Sequence, residues 1–511
     1  MYSNPTALLS GDHSILTQYA LSTILMLGLL FLIVDRILGI KRSDAEPHFL
    51  PSGVPYIGHV IGIIRRGVDY YDEMTAKHGK LIYSLAMPGG RLYVVNSSEH
   101  MKSIEKAYRE ISFWFIEASF SKRLSGISNA SDRVLKANAE GVKGEASLVV
   151  DGMKATHAAM GGQDLHDMVE RGLQRAARIL EELESDADSA SGPASHCLWS
   201  WTQHVFSLAT SSAVYGPGNP YEDLAVEQGL YQFEDSTMLF LSGLPHQMFN
   251  RKGFAARETI VRAFTRFFAD KSDEQASQLV KNRAEVLRRY GIPENDVARF
   301  ETVNGFGILL NLLPTAYWTI WHIFSDCTLL DTVREEAQAA LGADASLKDK
   351  RCVDAAQQLP LLNSVMHEVL RYNTTGAAVR RVMKDHVLSG QFLLKKDSYC
   401  LVPNKGIHFN TDQWGVNARS FQPDRFLKGK TNRESFRGFG GGVNACPGKA
   451  FAARLILTIV AALVLRFDIE PCTESGMLDH PGHDESSMAI VVARPARKYR
   501  VKFVRRARRE E

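Results

Sequence analysis

Apolar residues are spread unevenly along the chain, and the longest nearly unbroken run lies close to the N-terminus. Residues 15–34 contain only a few uncharged polar side chains, and about 20 apolar residues are enough for a helix to cross a bilayer. No Lys or Arg precedes this run, whereas basic residues follow it from Arg36 onwards. Since positive charge is retained on the cytosolic side, the pattern predicts a membrane anchor over residues 1–42. A buried core helix and a signal peptide are the alternatives.

After this run the pattern changes to short strands and then to helices. Pro47, Pro51 and Pro55 mark a stiff connector. Residues 81–85 and 91–95 are rich in apolar and aromatic side chains and flank a Pro-Gly-Gly turn, which is typical of two paired strands. Most of the middle of the chain then has apolar residues at helical spacing. The pattern therefore predicts a mostly α-helical protein with a small β region.

The composition is that of an ordinary globular protein. Hydrophobic residues make up 45% and charged residues 23% of the 511 residues. The formal net charge of +3 gives no indication of nucleic-acid binding. The six cysteines are scattered without a Cys-x-x-Cys pair, which argues against a zinc site or a disulfide framework and fits a reducing compartment. We expect a single domain over residues 43–511.

A glycine-rich segment near the C-terminus carries the most distinctive chemistry. Residues 439–450 read Phe-Gly-Gly-Gly-Val-Asn-Ala-Cys-Pro-Gly-Lys-Ala, and a long apolar stretch of helical spacing follows. Cys446 is therefore expected near a helix N-terminus, where free N–H groups and the helix dipole favour a thiolate. A thiolate on an open glycine loop suits an iron ion. The alternatives are a buried free cysteine and a cysteine nucleophile, although no histidine lies in the neighbouring residues to act as its base.

Two shorter charged motifs lie upstream of this segment. Glu368 and Arg371 stand three residues apart on a predicted amphipathic helix, so they share one helix face. A surface ion pair explains most matches to such a weak motif. The pair gains significance from Arg425, which follows downstream in the segment Phe-Gln-Pro-Asp-Arg-Phe.

Taken in this order, the motifs resemble those of the cytochromes P450. The resemblance implies the fold of that family and a haem b group. The iron would be held by the Cys446 thiolate, which pushes electron density towards O–O cleavage. The other loop residues expected at the haem are Phe439, Gly442 and Gly448.

The resemblance also implies roles for the charged residues. Glu368, Arg371 and Arg425 would form a buried triad that fixes the cysteine-bearing loop, and buried ion pairs of this kind need excellent geometry. A haem propionate is expected to bind an arginine that follows the Glu-x-x-Arg helix. Arg380 and Arg381 both stand at that distance, and the choice between them is open.

An apolar segment with an internal proline is expected to cross the distal side of the haem. It spans residues 305–318, and Pro314 should bend the helix because it cannot donate a backbone hydrogen bond. Where most of the family has an acidic residue followed by threonine, this chain has Leu310 and Asn311. That departure resembles the branch of sterol and bile-acid hydroxylases and prostacyclin synthase, which contains oxygenating enzymes and an isomerase. We predict proton delivery through Asn311, Thr315 or water.

Together with the predicted anchor, the resemblance implies a single-pass protein of the endoplasmic reticulum membrane with a cytosolic catalytic domain. It would use O2 to oxidise a lipophilic small molecule, such as a terpenoid or steroid-like secondary metabolite, by hydroxylation, epoxidation or successive oxidation. The apolar segments at residues 113–116 and 237–245 would line its pocket or face the membrane, with core packing as the alternative.

The same resemblance implies an external source of electrons. NADPH–cytochrome P450 reductase would supply them, because the chain has no Gly-x-Gly-x-x-Gly fingerprint in a βαβ setting. Two alternatives to a monooxygenase are a haem-thiolate isomerase or dehydratase that needs no reductase, and a non-catalytic haem-binding protein.

Overall fold

The structure is a computed structural model that describes residues 41–142, 144–242, 245–342, 346–427, 435–486 and 490–506, together with Tyr19, Ser22 and Met26. Within this part of the chain, no helix combines the length and the apolar character needed to cross a membrane. The anchor predicted over residues 1–42 falls almost entirely outside the described residues.

Helices account for most of the described chain. In chain order they are α1 (Gly58–Arg66), α2 (Asp69–His78), α3 (Met101–Lys106), α4 (Trp114–Ser125), α5 (Asn129–Lys136), α6 (Leu148–Ala159), α7 (Gly162–Ala187), α8 (Leu198–Tyr215), α9 (Leu224–Asp235), α10 (Thr237–Leu241), α11 (His246–Phe249), α12 (Arg251–Ala269), α13 (Gln278–Arg289), α14 (Glu294–Leu309), α15 (Leu312–Phe324), α16 (Cys327–Leu341), α17 (Cys352–Ala355), α18 (Pro360–Tyr372), α19 (Asn404–His408), α20 (Thr411–Trp414) and α21 (Lys449–Arg466). Helix α7 illustrates why these segments are helical, since its buried Leu165, Val169 and Leu173 recur at one-turn spacing.

The strands form small sheets, and one of five strands is the largest in the described residues. The strands are β1 (Ile82–Met87), β2 (Gly90–Val95), β3 (Ile111–Ser112), β4 (Ser195–Cys197), β5 (Ala377–Val382), β6 (His386–Leu388), β7 (Phe392–Leu394), β8 (Tyr399–Pro403), β9 (Phe467–Pro471), β10 (His483–Asp484), β11 (Arg494–Pro495) and β12 (Arg500–Arg505). The five-stranded sheet has the order β1-β2-β8-β5-β3. This arrangement confirms the mostly α architecture with a small β region.

The hairpin β1–β2 confirms the first pair of predicted strands. Its register pairs Met87 with Gly90, so the connection is a tight turn. Gly89 in this turn has a φ of 69°, a left-handed conformation that glycine adopts without strain. Strand β5 lies deeper in the sheet, between β8 and β3, and it carries Arg380 and Arg381.

Two apolar helices, α15 and α21, form the centre of the main hydrophobic core. All of α15 from Leu312 to Ile323 is buried, and α21 is buried without a break from Leu455 to Val464. A helix that is apolar on all sides is stable only when it is surrounded by other elements. Helix α21 packs against α7, α15, α16 and α18, so its N-terminal end is firmly positioned.

The predicted distal segment comprises α14 and α15, and the two residues between them, Leu310 and Asn311, keep a right-handed helical backbone. Helix α14 ends at Leu309, and α15 begins at Leu312. Pro314 lies in the first turn of α15, where its missing N–H has no intrahelical role. Because Pro314 cannot donate to the Leu310 carbonyl, the hydrogen-bond ladder is interrupted there, which agrees with the predicted effect of Pro314.

Candidate active site

The glycine-rich segment forms a closed loop directly before α21. The Cys446 N–H donates to the Phe439 carbonyl oxygen at 2.8 Å, and the Phe439 ring packs against the main core. Gly440 and Gly442 have φ values of 69° and 59°, which side-chain-bearing residues adopt only with strain. Gly448 is the residue before α21. The loop therefore presents Cys446 just before a helix N-terminus, as predicted.

The Cys446 side chain is accessible although protein atoms surround it. Burial raises the pKa of its thiol, and the Gly448 N–H and the Lys449 charge oppose that rise without cancelling it. We expected the helix N-terminus to favour the thiolate, but in the protein alone the effect of burial is larger. A bound metal cation deprotonates a coordinating thiol, so an iron ion at the sulfur would favour the thiolate.

Glu368, Arg371 and Arg425 meet in a buried cluster. Arg371 donates from Nε and Nη2 to the two Glu368 carboxylate oxygens, both at 2.7 Å. The Arg425 Nε donates to the same two oxygens at 3.0 and 3.1 Å, and the Gln422 N–H donates to one of them at 2.9 Å. The other guanidinium N–H groups donate to an Asn417 side chain and to the backbone carbonyls of His408, Trp414, Asn417, Ala418 and Ser420.

These contacts satisfy the conditions under which a buried ion cluster is tolerated. Glu368 and Arg371 are fully buried, and every donor and acceptor named above has a partner of good geometry. The carbonyls they bind belong to the chain between α19 and Arg425, which leads to the cysteine loop. The geometry matches the predicted triad and connects that chain segment to α18.

His408 connects the triad to the cysteine loop. Its Nδ1 lies 3.1 Å from the Arg371 carbonyl oxygen, and the Arg437 N–H donates to its Nε2 at 2.8 Å. A neutral imidazole with its proton on Nδ1 satisfies both contacts. Burial and then the Arg371 charge lower the pKa of His408 to about 3, so the ring stays neutral. Since Arg437 precedes Phe439, the loop backbone is tied through His408 to α18.

Arg437 is a buried cation of the loop that the sequence analysis did not identify. Its Nη1 donates to Oε1 of Glu105 on α3 at 2.6 Å. A Cβ atom on Gly441 would lie 2.3 Å from that Nη1 and 2.4 Å from that Oε1. Glycine at this position therefore lets the loop close over the ion pair.

The structure separates Arg380 from Arg381, which the sequence left as alternatives. Side chains alternate between the faces of a strand, and on β5 only 2% of Arg380 is exposed. Its Nε and Nη1 have no hydrogen-bond partner among the described residues, and burial followed by the nearby Arg437 charge lowers its pKa. Arg381 instead donates to Asp397 at 3.0 Å and lies over the Tyr399 ring. Arg380 is thus the buried cation that needs an anionic partner.

Asn311 and Thr315 lie at the break between α14 and α15. The Asn311 Oδ1 accepts a hydrogen bond from the Val491 N–H at 2.7 Å, so this side chain holds the C-terminal chain against the distal helix. The Thr315 hydroxyl donates to the Asn311 carbonyl oxygen at 2.7 Å. No hydrogen bond in the described part of the chain engages the Asn311 side-chain nitrogen, and proton delivery at this point stays a prediction.

A cavity of about 520 Å³ adjoins α14 and β5. Apolar side chains from α4, α6, α13, α14 and β5 dominate its lining. The apolar segments at residues 113–116 and 237–245 contribute Phe113, Ile116, Thr237 and Leu241, which confirms their predicted place at a pocket.

Comparison with known proteins identifies the family. A cytochrome P450 family model matches residues 312–503. The cytochrome P450 monooxygenase nodJ of Hypoxylon pulicicidum is 31% identical over 474 residues, which cover 89% of this chain and 89% of nodJ. The chain belongs to the cytochrome P450 family. It is therefore a haem-thiolate monooxygenase, in which a cysteine thiolate holds the iron.

Two further relatives of this cytochrome P450 are more distant. The monooxygenase poxD of Penicillium oxalicum is 24% identical over 459 residues, covering 86% of this chain and 90% of poxD. The human 7-alpha-hydroxycholest-4-en-3-one 12-alpha-hydroxylase is 23% identical over 468 residues, covering 86% of this chain and 89% of its own. The latter agrees with the predicted likeness to the sterol and bile-acid hydroxylases.

The residues present in this cytochrome P450 fit a haem. The group needs a thiolate ligand and cations for its two propionates. The structure offers an accessible Cys446 thiol and a buried Arg380 whose Nε and Nη1 have no partner among the described residues. Arg380 lies close enough to Arg437 of the cysteine loop for their charges to interact. Asn444 on the same loop has a buried side-chain oxygen without a partner among the described residues, and a half-turn of its carboxamide would present N–H donors instead.

Proposed function

We propose that Cys446 is the iron ligand of this cytochrome P450 and that the protein oxidises a lipophilic small molecule of the steroid or terpenoid type. The observation that carries the proposal is the pairing of an accessible thiol on the glycine loop with a buried guanidinium beside that loop. A buried, unpaired cation is costly, and a propionate at Arg380 would remove that cost by a bidentate contact.

Each residue of the site then has a definite task. Bound haem supplies the activation of O2. Cys446 binds the iron, Arg380 neutralises a propionate, and Phe439, Gly442 and Gly448 shape the loop so that a flat ligand can approach its backbone. The triad and His408 hold the loop still. Asn311 and Thr315 remain our candidates for delivering protons, the former through its unengaged amide nitrogen.

The pocket and one relative support the proposed substrate class. A cavity of about 520 Å³ with mostly apolar walls is in the size range of small-molecule sites and favours a lipophilic ligand. The human relative is named for acting on a cholestene derivative. We extend this chemistry to the present protein as a proposal, with one or several successive oxidations.

We further propose that residues 1–42 anchor the protein in the endoplasmic reticulum membrane, with the catalytic domain (residues 43–511) in the cytosol, and that NADPH–cytochrome P450 reductase delivers its electrons. Exposed apolar side chains support contact with a membrane. Ile64 on α1 is 77% exposed and Met248 on α11 is 69% exposed, and such side chains are favourable where lipid covers them.

The test is mass spectrometry of products formed in extracts of the host cell under heavy-isotope dioxygen, with and without NADPH and reductase. A product that carries one heavy oxygen and needs both additions supports the proposal. An unlabelled product that forms without electron demand would instead indicate an isomerase. Cys446→Ser should abolish the labelled product, whereas Cys327→Ser, which changes an exposed thiol, should leave it unchanged.

A further inference from the structure

A single carboxyl group stands out among the apolar walls of the cavity. Glu117 lies in the first turn of α4 and lines the cavity together with Phe113, Ile116 and Phe300. It keeps accessible surface although protein atoms surround it, which is the combination expected for a side chain that projects into an internal cavity.

Glu117 has no polar partner within the described chain. Arg283, the cation that also lines the cavity, forms an ion pair with the buried Glu301. Asn304, another polar lining residue, donates to Glu301 at 3.1 Å. Arg283 on α13 and Asn304 on α14 therefore both bind Glu301. Neither forms a hydrogen bond or an ion pair with Glu117 in the described structure.

The surroundings of Glu117 show how unusual this placement is. Burial alone raises the pKa of its carboxyl to about 7, and no neighbouring charge contributes. Glu117 lines the cavity among apolar side chains, and a carboxyl in such surroundings is destabilising unless a ligand supplies a partner.

We propose that Glu117 is a specificity-determining residue that accepts a hydrogen bond from a hydroxyl or N–H group of the substrate. The lipophilic body of the molecule would pack on the apolar walls, and its donor group would lie against α4. This inference rests on the proposed function, because it names a group that the substrate of that reaction carries. It predicts discrimination against otherwise identical molecules whose donor is blocked, because a site built to hydrogen-bond a hydroxyl is left unpaired by them.

The experiment uses the haem-loaded full chain and pairs of N-alkylimidazoles. Within each pair the alkyl chains are equal in length and end either in a hydroxyl or in a methyl group. Imidazole nitrogen binds haem iron, so one end of every probe is fixed and the other explores the cavity. Calorimetry gives the dissociation constants, and haem absorbance is followed in parallel.

We expect the wild type to prefer the hydroxyl-ended probe at one or more chain lengths, and Glu117→Leu to reduce this preference about tenfold, as the loss of one hydrogen bond would do. Glu117→Gln, which keeps an acceptor oxygen, should retain part of the preference. Glu99→Gln removes an exposed carboxylate and should change nothing. Equal preferences in the wild type and Glu117→Leu at every chain length would overturn the inference.

Failure of the proposed function would look different. If Cys446 does not hold the iron, the reduced protein with carbon monoxide lacks the absorbance band of a thiolate ligand in every variant. A wrong assignment of Glu117 leaves that band intact and removes only the effect of Glu117→Leu on the preference between chain ends. Carbon monoxide binding to the reduced protein checks that each variant carries its haem in a folded site.

Discussion

The buried triad predicts a large and specific loss of stability on changing Glu368 to Gln. The substitution preserves shape but replaces a carboxylate that binds both Arg371 and Arg425 by a neutral amide. Two guanidinium groups then remain buried, with side-chain exposures of 0% and 9%, without a counter-charge. Breaking a buried ion pair by removing one partner costs about 3–5 kcal/mol.

The magnitude follows from the contacts at Glu368. Its carboxylate receives charge-assisted hydrogen bonds from Arg371 at 2.7 Å and from Arg425 at 3.0 Å, and such bonds contribute about 1.5–3 kcal/mol each. We therefore expect the upper part of the 3–5 kcal/mol range, which is a substantial fraction of the roughly 5–15 kcal/mol that stabilises a folded domain.

The assay compares urea unfolding of the haem-loaded proteins by tryptophan fluorescence and by release of haem. Glu285→Gln is the matched control, because Glu285 forms an exposed pair with Arg289 at 2.8 Å, with side-chain exposures of 70% and 59%. An exposed pair contributes less than about 1 kcal/mol, so this variant should unfold at nearly the wild-type midpoint. If Glu368→Gln were as stable as Glu285→Gln and retained its haem equally well, the triad would not hold the cysteine loop in place.

Three further predictions concern the loop and the membrane. The pKa of His408 is lowered from 6.5 to about 3 in the folded protein. The unfolded chain therefore binds an extra proton, and the free energy of unfolding falls as the pH drops from about 6.5 towards 3. His408→Gln should flatten this part of the pH profile of unfolding, and an unaltered profile would contradict a buried, neutral His408. Gly441→Ala should lower the haem content, since the new Cβ would lie 2.3 Å from the buried Arg437 Nη1. A Cβ on Gly90 meets no atom within 4 Å, so Gly90→Ala should bind haem normally, and equal haem content in the two variants would refute the steric explanation. A chain lacking the predicted anchor should still sediment with lipid vesicles. In that chain Ile64→Glu should weaken vesicle binding about tenfold, while Val416→Glu at a fully exposed site should leave it unchanged. Equal sedimentation of both variants would exclude α1 from the contact with the membrane.

Local spacing in the sequence was enough to predict the parts of the site that depend on short-range structure. Glu368 and Arg371 share one face of α18 because of helix geometry. The glycine run before Cys446 and the apolar run after it predicted a loop that leads into a helix, and α21 begins at Lys449. These features need no knowledge of the tertiary fold.

The remaining features depend on contacts between distant parts of the chain. Alternation along β5 separates Arg380 from Arg381, but which face packs inward is decided by the neighbouring strands and the cysteine loop. Glu105 meets Arg437 from 332 residues away, and no local pattern marks that pairing. At Cys446 the helix end lowers the thiol pKa as expected, but burial, which depends on how distant segments pack around the loop, raises it by more.

The break at Pro314 followed from the sequence, whereas the contact beside it did not. Pro314 interrupts the hydrogen bonding between α14 and α15 while Leu310 and Asn311 keep a helical backbone, as expected for a proline within a helical segment. The Asn311 side chain just before it binds Val491. Since Val491 belongs to a distant segment, no local pattern predicted that contact.

The absorbance of the reduced protein with carbon monoxide shows whether Cys446 holds the haem iron as a thiolate. A thiolate ligand moves the main haem band to the long wavelength that is characteristic of this family. We predict that the wild type and Cys327→Ser show this band and that Cys446→Ser loses it. A Cys446→Ser protein that keeps the band would contradict the assignment of the iron ligand.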